Sequence, residues 1–491
     1  MRRLSRRDAL REAAVGGGGM LGALVLPGCG GGSPIGGSTL HATWHDPVGD
    51  GQLRRGPGEL LLDRVELTHA AEPIQTLATV AHVTDAHVLD ASSPGRVTFL
   101  DRLGAPFQST FRPQETLTVQ VLAGMASAVR ALRADAVIQG GDLIDNAQAN
   151  ELAQGLRALR GGLVRPGSGP RGYFGVQSAW NPDPFYYRPD VDAPRFPGLL
   201  HRAARAFLSP GVGARLLPVL GDHDALVAGE VVPTALTRSL ASGARALWDL
   251  RPGLSVPPAA RRQAVGSPDG PPDPGLVDEF LRQALAGPTV RVPPDPRRRQ
   301  LSFGQALSGV GGAGARLDYT VDLGRHVRLI VLDLVRRDGG SGGIVDSAQV
   351  AWLERSLAAA GERWVIVVSH QPIESSAGGA GLLDVLDRAP RVIAAVFGHT
   401  HRNRIEPRHT RAGGYWLIGT ASLIDFPQQA RALRVVATRG GGVALQSWML
   451  DHTLPGPLGT IARQLSYLDA QGGRPNRFAG TRGDRNVTLY R

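Results

Sequence analysis

Short apolar runs and amphipathic stretches alternate along most of this chain. β-Branched and aliphatic residues dominate the short runs, which predict strands at 76–83, 134–139, 215–220, 327–334, 363–369, 391–397, 415–419, 433–437 and 444–450. A periodicity near 3.6 predicts helices at 113–132 and 346–360, the second opened by Asp346 as an N-cap. Strands that read as continuous apolar runs are buried on both faces, so the expectation is a mixed α/β fold with helices covering sheets. Two segments, 146–214 and 225–315, break the rhythm with Pro-Gly and Pro-Pro punctuation, the run Phe185-Tyr186-Tyr187 and the basic run Arg297-Arg298-Arg299. They read as long insertions. Trp180 and Trp248 within them are expected to pack the inserted parts.

Composition narrows the chemistry. The 65 glycines and 36 prolines among 491 residues make the chain turn-rich without reaching the roughly 25–30% that marks low-complexity sequence. The formal charge of +11 comes from arginine alone, scattered rather than arranged as an aromatic-interleaved stripe, and argues only weakly for a nucleic-acid partner. The only cysteine, Cys29, excludes an internal disulfide, a thiolate zinc site and a CxxC redox centre. Chemistry must come from oxygen and imidazole groups.

The first residues read as an address. Arg2, Arg3, Arg6, Arg7 and Arg11 precede a weakly apolar stretch at 13–26, too short to cross a bilayer as an ordinary helix. Ser5-Arg6-Arg7-Asp8-Ala9-Leu10-Arg11 resembles a twin-arginine signal, with Ala9 where an aromatic residue is usual. Leu26-Pro27-Gly28-Cys29 resembles a lipobox, in which the cysteine takes the lipid, and a Gly/Ser tether follows at 30–38. The expected division is a signal peptide at 1–28, a tether and N-terminal extension at 29–75, a domain at 76–450 carrying the two insertions, and a C-terminal extension at 451–491 packed on it. Localisation follows as periplasmic or cell-surface, on a membrane through the lipid. Oligomeric state is not legible.

Five polar clusters each follow a predicted strand: Asp85-Ala86-His87, Gly141-Asp142-Leu143-Ile144-Asp145, Gly221-Asp222-His223-Asp224, Ser369-His370-Gln371-Pro372 and Gly398-His399-Thr400-His401. A lone histidine at a strand end is more often structural than a ligand. Five such clusters at successive strand ends build one concentrated site of carboxylates and imidazoles, because open α/β sheets bind ligands beyond the carboxyl ends of their strands.

In this order the clusters resemble the signature of the calcineurin-like metallophosphoesterases, DxH, GDxxD, GNH(D/E), a later His and GHxH. The likeness is to an exported bacterial subgroup through Asp90–Arg96, Arg112–Glu115, the stretch 399–403, the stretch 420–429 and Gly483–Val487. The resemblance implies a four-layer α/β/β/α sandwich with a two-metal site at the sheet edge. It assigns Asp85, His87 and His401 to one metal, Asp222, His370 and His399 to the other, and Asp142 to both. Imidazole and carboxylate donors suit manganese, zinc or iron better than magnesium. A hydroxide shared by the two metals would attack phosphorus. His223 would face the phosphate as a catalytic group, with Asp145 orienting its ring. Asp145 also stands where purple acid phosphatases carry a metal-binding tyrosine, which disfavours that subgroup. Asp222 replaces the usual Asn and adds a negative charge to the second site, which should shift metal preference or Lewis acidity. Arg96, Arg402 and Asn403 are possible phosphate contacts. The implied enzyme is an exported hydrolase of a small phosphomonoester or phosphodiester. The alternatives are a nuclease of the same fold and a non-catalytic cell-surface metal-binding lipoprotein.

Overall fold

Successive residues of the central strands bury themselves in different cores, which is why the strands read as unbroken apolar runs. In the computed structural model, which describes residues 36–103, 110–170, 172–267, 269–472 and 477–491, Ala136 and Ile138 point into a core between two sheets while Val137 points into a core under helices. Leu329 and Val331 likewise face the inter-sheet core, and Ile330 and Leu332 face the opposite way. The signal region at 1–28 and Cys29 lie outside the described residues.

The first sheet has seven strands in the order Leu62–Arg64, Val487–Tyr490, Val443–Asp451, Gln429–Thr438, Pro73–Val83, Ala136–Gly140 and Arg215–Val219. The last three run parallel, so their carboxyl ends share one edge. The second sheet has six strands in the order Tyr319–Leu323, Val327–Leu332, Trp364–Ser369, Val392–Phe397, Tyr415–Gly419 and Arg404–Arg408, with four parallel strands at its centre. Helices Thr118–Leu132 and Pro457–Gln471 cover the first sheet, and Ser347–Ala358 and Gly379–Asp387 cover the second. The result is the four-layer α/β/β/α sandwich expected from the sequence. Asp346 caps its helix as read, accepting the Gln349 N–H at 2.8 Å. The first sheet also recruits Leu62–Arg64 and Val487–Tyr490, which lie outside the span 76–450.

The segment at 146–214 supplies helices Ala149–Arg160 and Leu199–Ala203 and a two-stranded antiparallel pair, Gly162–Val164 with Phe207–Ser209. The segment at 225–315 supplies helices Ala235–Ser242, Pro258–Gly266, Pro274–Ala284 and Phe303–Val310. Part of it closes on Phe99 to form a small apolar cluster separate from the main cores. Trp248 packs at the edge of the main core, but Trp180 is 47% exposed and packs nothing comparable. Among the described residues no helix is long and apolar enough to cross a membrane.

Candidate metal centre

Each of the five polar clusters begins within a few residues of the carboxyl end of a strand. Asp85 follows Pro73–Val83, Asp142 follows Ala136–Gly140, Asp222 follows Arg215–Val219, His370 follows Trp364–Ser369, and His399 and His401 follow Val392–Phe397. The turn from strand into loop is made by the site residues themselves: Asp85, His87, Asp142, His399 and His401 all have φ between +42° and +61°. A left-handed backbone is costly for residues other than glycine, at about 1–3 kcal/mol each, and persists where the surroundings over-determine it. Close approach also needs glycine. At Gly221 a Cβ would collide with the Asp142 carboxylate, and at Gly141, with φ +94°, it would collide with the His370 ring.

Two groups of ligand atoms result, each gathered within 4.8 Å, Asp85, His87 and His401, and Asp142, Asp222, His370 and His399, while a third, His87, Asp142 and His223, overlaps both. Asp142 lies between them, its Oδ2 3.6 Å from His87 Nε2 and 3.2 Å from His370 Nε2. Its Oδ1 is occupied by the His223 backbone N–H at 2.9 Å. Asp85 Oδ1 is 3.4 Å from His401 Nε2, and Asp222 Oδ1 is 3.2 Å from both His370 Nε2 and His399 Nδ1. Around these, Thr84 Oγ1 donates to Asp85 Oδ2 at 2.6 Å and Gln371 Nε2 donates to Asp222 Oδ1 at 3.0 Å.

The tautomers decide whether a cation fits. His370 Nδ1 donates to the Gly140 carbonyl at 2.8 Å, His87 Nδ1 to Asp145 Oδ1 at 3.0 Å, and His401 Nδ1 to Asp425 Oδ2 at 2.7 Å. Neutral rings held this way present Nε2 lone pairs inward. His370 Nε2 is buried without a hydrogen-bond partner, between two carboxylate oxygens. His87 Nε2 and His401 Nε2 face each other at 3.1 Å. Lone pairs converging on carboxylates need a positive charge among them, and the residues present fit a pair of divalent cations.

In the protein alone, protons supply that charge. Burial pulls His401 down, but Asp85 and Asp425 outweigh it and lift the ring to about 9. Burial and the neighbouring His223 push His87 down, so the facing pair shares one proton. Burial pulls against His370 too, and Asp142 and Asp222 overcome it, raising the ring well above its usual value. The carboxylate of Asp85 is held below its usual range against burial by His401, His370 and His87, and that of Asp222 by His399 and His370.

His223 stands beside this cluster, its ring 4.4 Å from that of His87. Its Nδ1 donates to the backbone carbonyl of Asp145 at 2.8 Å; the carboxylate of Asp145 is instead committed to His87, with His223 Nδ1 3.5 Å away. The expected orientation of His223 by Asp145 is therefore made by main chain, and the side chain serves His87. Burial opposes charging of His223, and Asp142, Asp222 and Asp145 reverse it and raise the ring.

Two expected phosphate contacts are spent elsewhere. Arg96 is buried and forms a bidentate pair with Glu115, at 2.7 and 2.5 Å. Asn403 is fully buried, its Oδ1 accepting from Ala421 N and Arg431 Nη2, both at 3.0 Å. Arg402 is exposed. Sequence reasoning missed Asp425, which orients His401 and is itself held by Arg112 through Nε at 2.7 Å. It lies in the 420–429 stretch, where its only signal was a polar residue in an apolar run. Asp224 was missed as well. Its Oδ1 accepts the N–H groups of Leu143 and Ile144, and its Oδ2 that of Gly221, tying two of the clusters together.

No family model matches the chain, and no curated protein matches it. Solved structures do match. A dimetal phosphatase from Danio rerio superposes with a TM-score of 0.38 at 12% identity, over 77% of this chain and 100% of that one. A purple acid phosphatase from yellow lupin gives 0.32 at 10% identity, over 81% and 54%. The sulfate thiohydrolase SoxB of Thermus thermophilus gives 0.30 at 13% identity, over 82% and 61%. Superpositions this loose leave the chemistry to be judged from the side chains themselves.

Proposed function

We propose that the protein is an exported, lipid-anchored, metal-dependent phosphoesterase acting on a phosphomonoester or phosphodiester. The observation that supports this reading is the position of Asp142, one carboxylate lying between two groups of inward-facing imidazoles and carboxylates drawn from both sheets. Asp85, His87 and His401 would hold one ion, Asp222, His370 and His399 the other, and Asp142 both. Such ions supply an acidified water and withdraw charge from phosphoryl oxygens.

The chain's own residues do the rest. Asp425 and Asp145 fix the tautomers of His401 and His87, so that Nε2 of each ring faces inward. His223, held at Nδ1 by the Asp145 carbonyl and favoured in its protonated form, keeps Nε2–H toward the cavity and delivers that proton to the leaving oxygen. Helices of the second insertion wall the site from solvent on one side.

The deciding experiment is a screen of aryl phosphates, bis-aryl phosphodiesters and nucleic acid, with manganese, zinc and iron, on protein lacking residues 1–29, with Asp142→Asn as control. Hydrolysis of a small ester that Asp142→Asn abolishes is expected. Turnover of nucleic acid alone would favour a nuclease, and no turnover by folded, metal-loaded protein would favour a binding lipoprotein. Anchoring is read separately, because Cys29→Ser should release the protein from the membrane fraction.

A further inference from the structure

The cluster forms the inner end of a cavity of about 500 Å³ whose other walls are mainly apolar. One wall is helix Pro274–Ala284. Asp273 caps it, its Oδ1 accepting from Gly275 N at 2.8 Å and Leu276 N at 3.0 Å, and Pro274 occupies the first turn, where its missing N–H costs nothing. Leu276, Val277, Phe280 and Leu281 fall on one face of that helix and line the cavity. Phe280 is backed by Phe99, ring centroids 6.4 Å apart, which fixes the wall from behind. Leu100 and Leu240 line the cavity from two other elements, Thr98–Leu103 and Ala235–Ser242.

Charge on these walls points the same way. Arg112 is the one arginine lining the cavity among the described residues, and its guanidinium is committed to Asp425. Glu230, Asp269 and Asp273 line it as well. A substrate carrying a second phosphate would meet carboxylates there and no available cation. A cavity of this size, apolar with a polar group cluster at one end, suits a ligand with one anionic head and an apolar body.

Resting on the phosphoesterase reading above, we infer that the substrate is a phosphoester whose organic part is aliphatic, seated against Val277, Phe280, Leu240 and Leu100 with its phosphate at the His/Asp cluster. The pocket selects by chain length. Burying methylenes on these walls strengthens binding by about fourfold for each one that finds room.

The test uses methyl-, butyl- and octylphosphonate, which cannot be hydrolysed at the P–C bond, titrated by calorimetry into the purified full-length protein supplied with manganese. Affinity is expected to climb steeply from methyl to octyl. Val277→Asn and Leu240→Gln, on separate helices so that one remains if the other misfolds, should each erase at least tenfold of the octyl advantage and cost methylphosphonate far less than octylphosphonate. Equal affinities across the series, or an octyl advantage that survives both variants, overturns the inference. Aryl phosphate hydrolysis measured on the same preparations separates the two readings. Turnover with a flat binding series removes the aliphatic pocket alone. A steep, variant-sensitive series without turnover supports the pocket and removes the reaction.

Discussion

Asp425 Oδ2 accepts the Nδ1 proton of His401 at 2.7 Å, and on its other side the same carboxylate is gripped by Arg112. The ring is thereby fixed with Nε2 toward Asp85 and His87. Carboxylates in this position keep a ligand imidazole in one tautomer and raise its basicity, and their loss typically costs 10–100-fold in metal affinity. Asp425→Asn, which keeps the shape and removes the charge, should lower manganese or zinc affinity by about that factor in competition titrations. An unchanged affinity in a folded variant would show that the pair is merely structural.

Metal uptake should expel protons. His401 is lifted to about 9, so in metal-free protein at neutral pH the site holds a proton that an incoming cation displaces. Affinity therefore rises with pH up to that value. Calorimetric titrations in two buffers of different ionisation enthalpy should give apparent enthalpies that differ by at least one proton released; identical enthalpies would refute the exchange.

Glu230 predicts a limb of the pH profile. Burial, with the nearby Asp222 adding to it, pushes this carboxyl up to about 7 despite the Ser341 N–H that it accepts at 3.2 Å. Below that pH it is neutral, and above it an anion faces the cavity that receives an anionic ester. The kcat/KM for such an ester should fall as pH rises through about 7, and Glu230→Gln should remove that fall while leaving the acid side unchanged. Superimposable profiles would argue that the charge is screened from substrate.

Asp222 carries a negative charge where the resembling family has Asn, and it lies 3.2 Å from two imidazoles of the second group. Asp222→Asn should shift the order of activation among manganese, zinc and iron and change the rate. Metal analysis and kinetics that both stay as in the parent would sink this reading.

Much of this was legible in the sequence because the signals were local. A strand buried on both faces must be apolar throughout, and the residues that leave it for a ligand edge must be polar, so strand and site announced each other at Val83 and Asp85, or Phe397 and His399. Leu62–Arg64 and Val487–Tyr490 escaped notice because three or four residues carry no periodicity, and their place is set by partners far away in the chain. Arg96 and Asn403 misled for a related reason. Their motifs placed them near the site, while their hydrogen bonds to Glu115 and Arg431 turned them away from it. The apolar face of Pro274–Ala284 had a readable spacing, but surrounding prolines made the segment look like loop. Which cavity it walls depends on how the insertion folds back.

Each ligand group draws on both sheets: Asp85 and His87 meet His401 across the seam, and Asp142 and Asp222 meet His370 and His399. Any ion held there is a rivet between two layers otherwise joined by apolar packing and a few hydrogen bonds, such as Trp416 Nε1 to the Tyr490 carbonyl at 3.2 Å and the Tyr319 hydroxyl to the Pro218 carbonyl at 2.7 Å. Sliding one sheet past the other would have to break ligand bonds first, so a chelator should lower the temperature at which the sandwich opens as well as stopping catalysis. The mechanical integrity of the fold and its chemistry would then be lost at the same metal concentration.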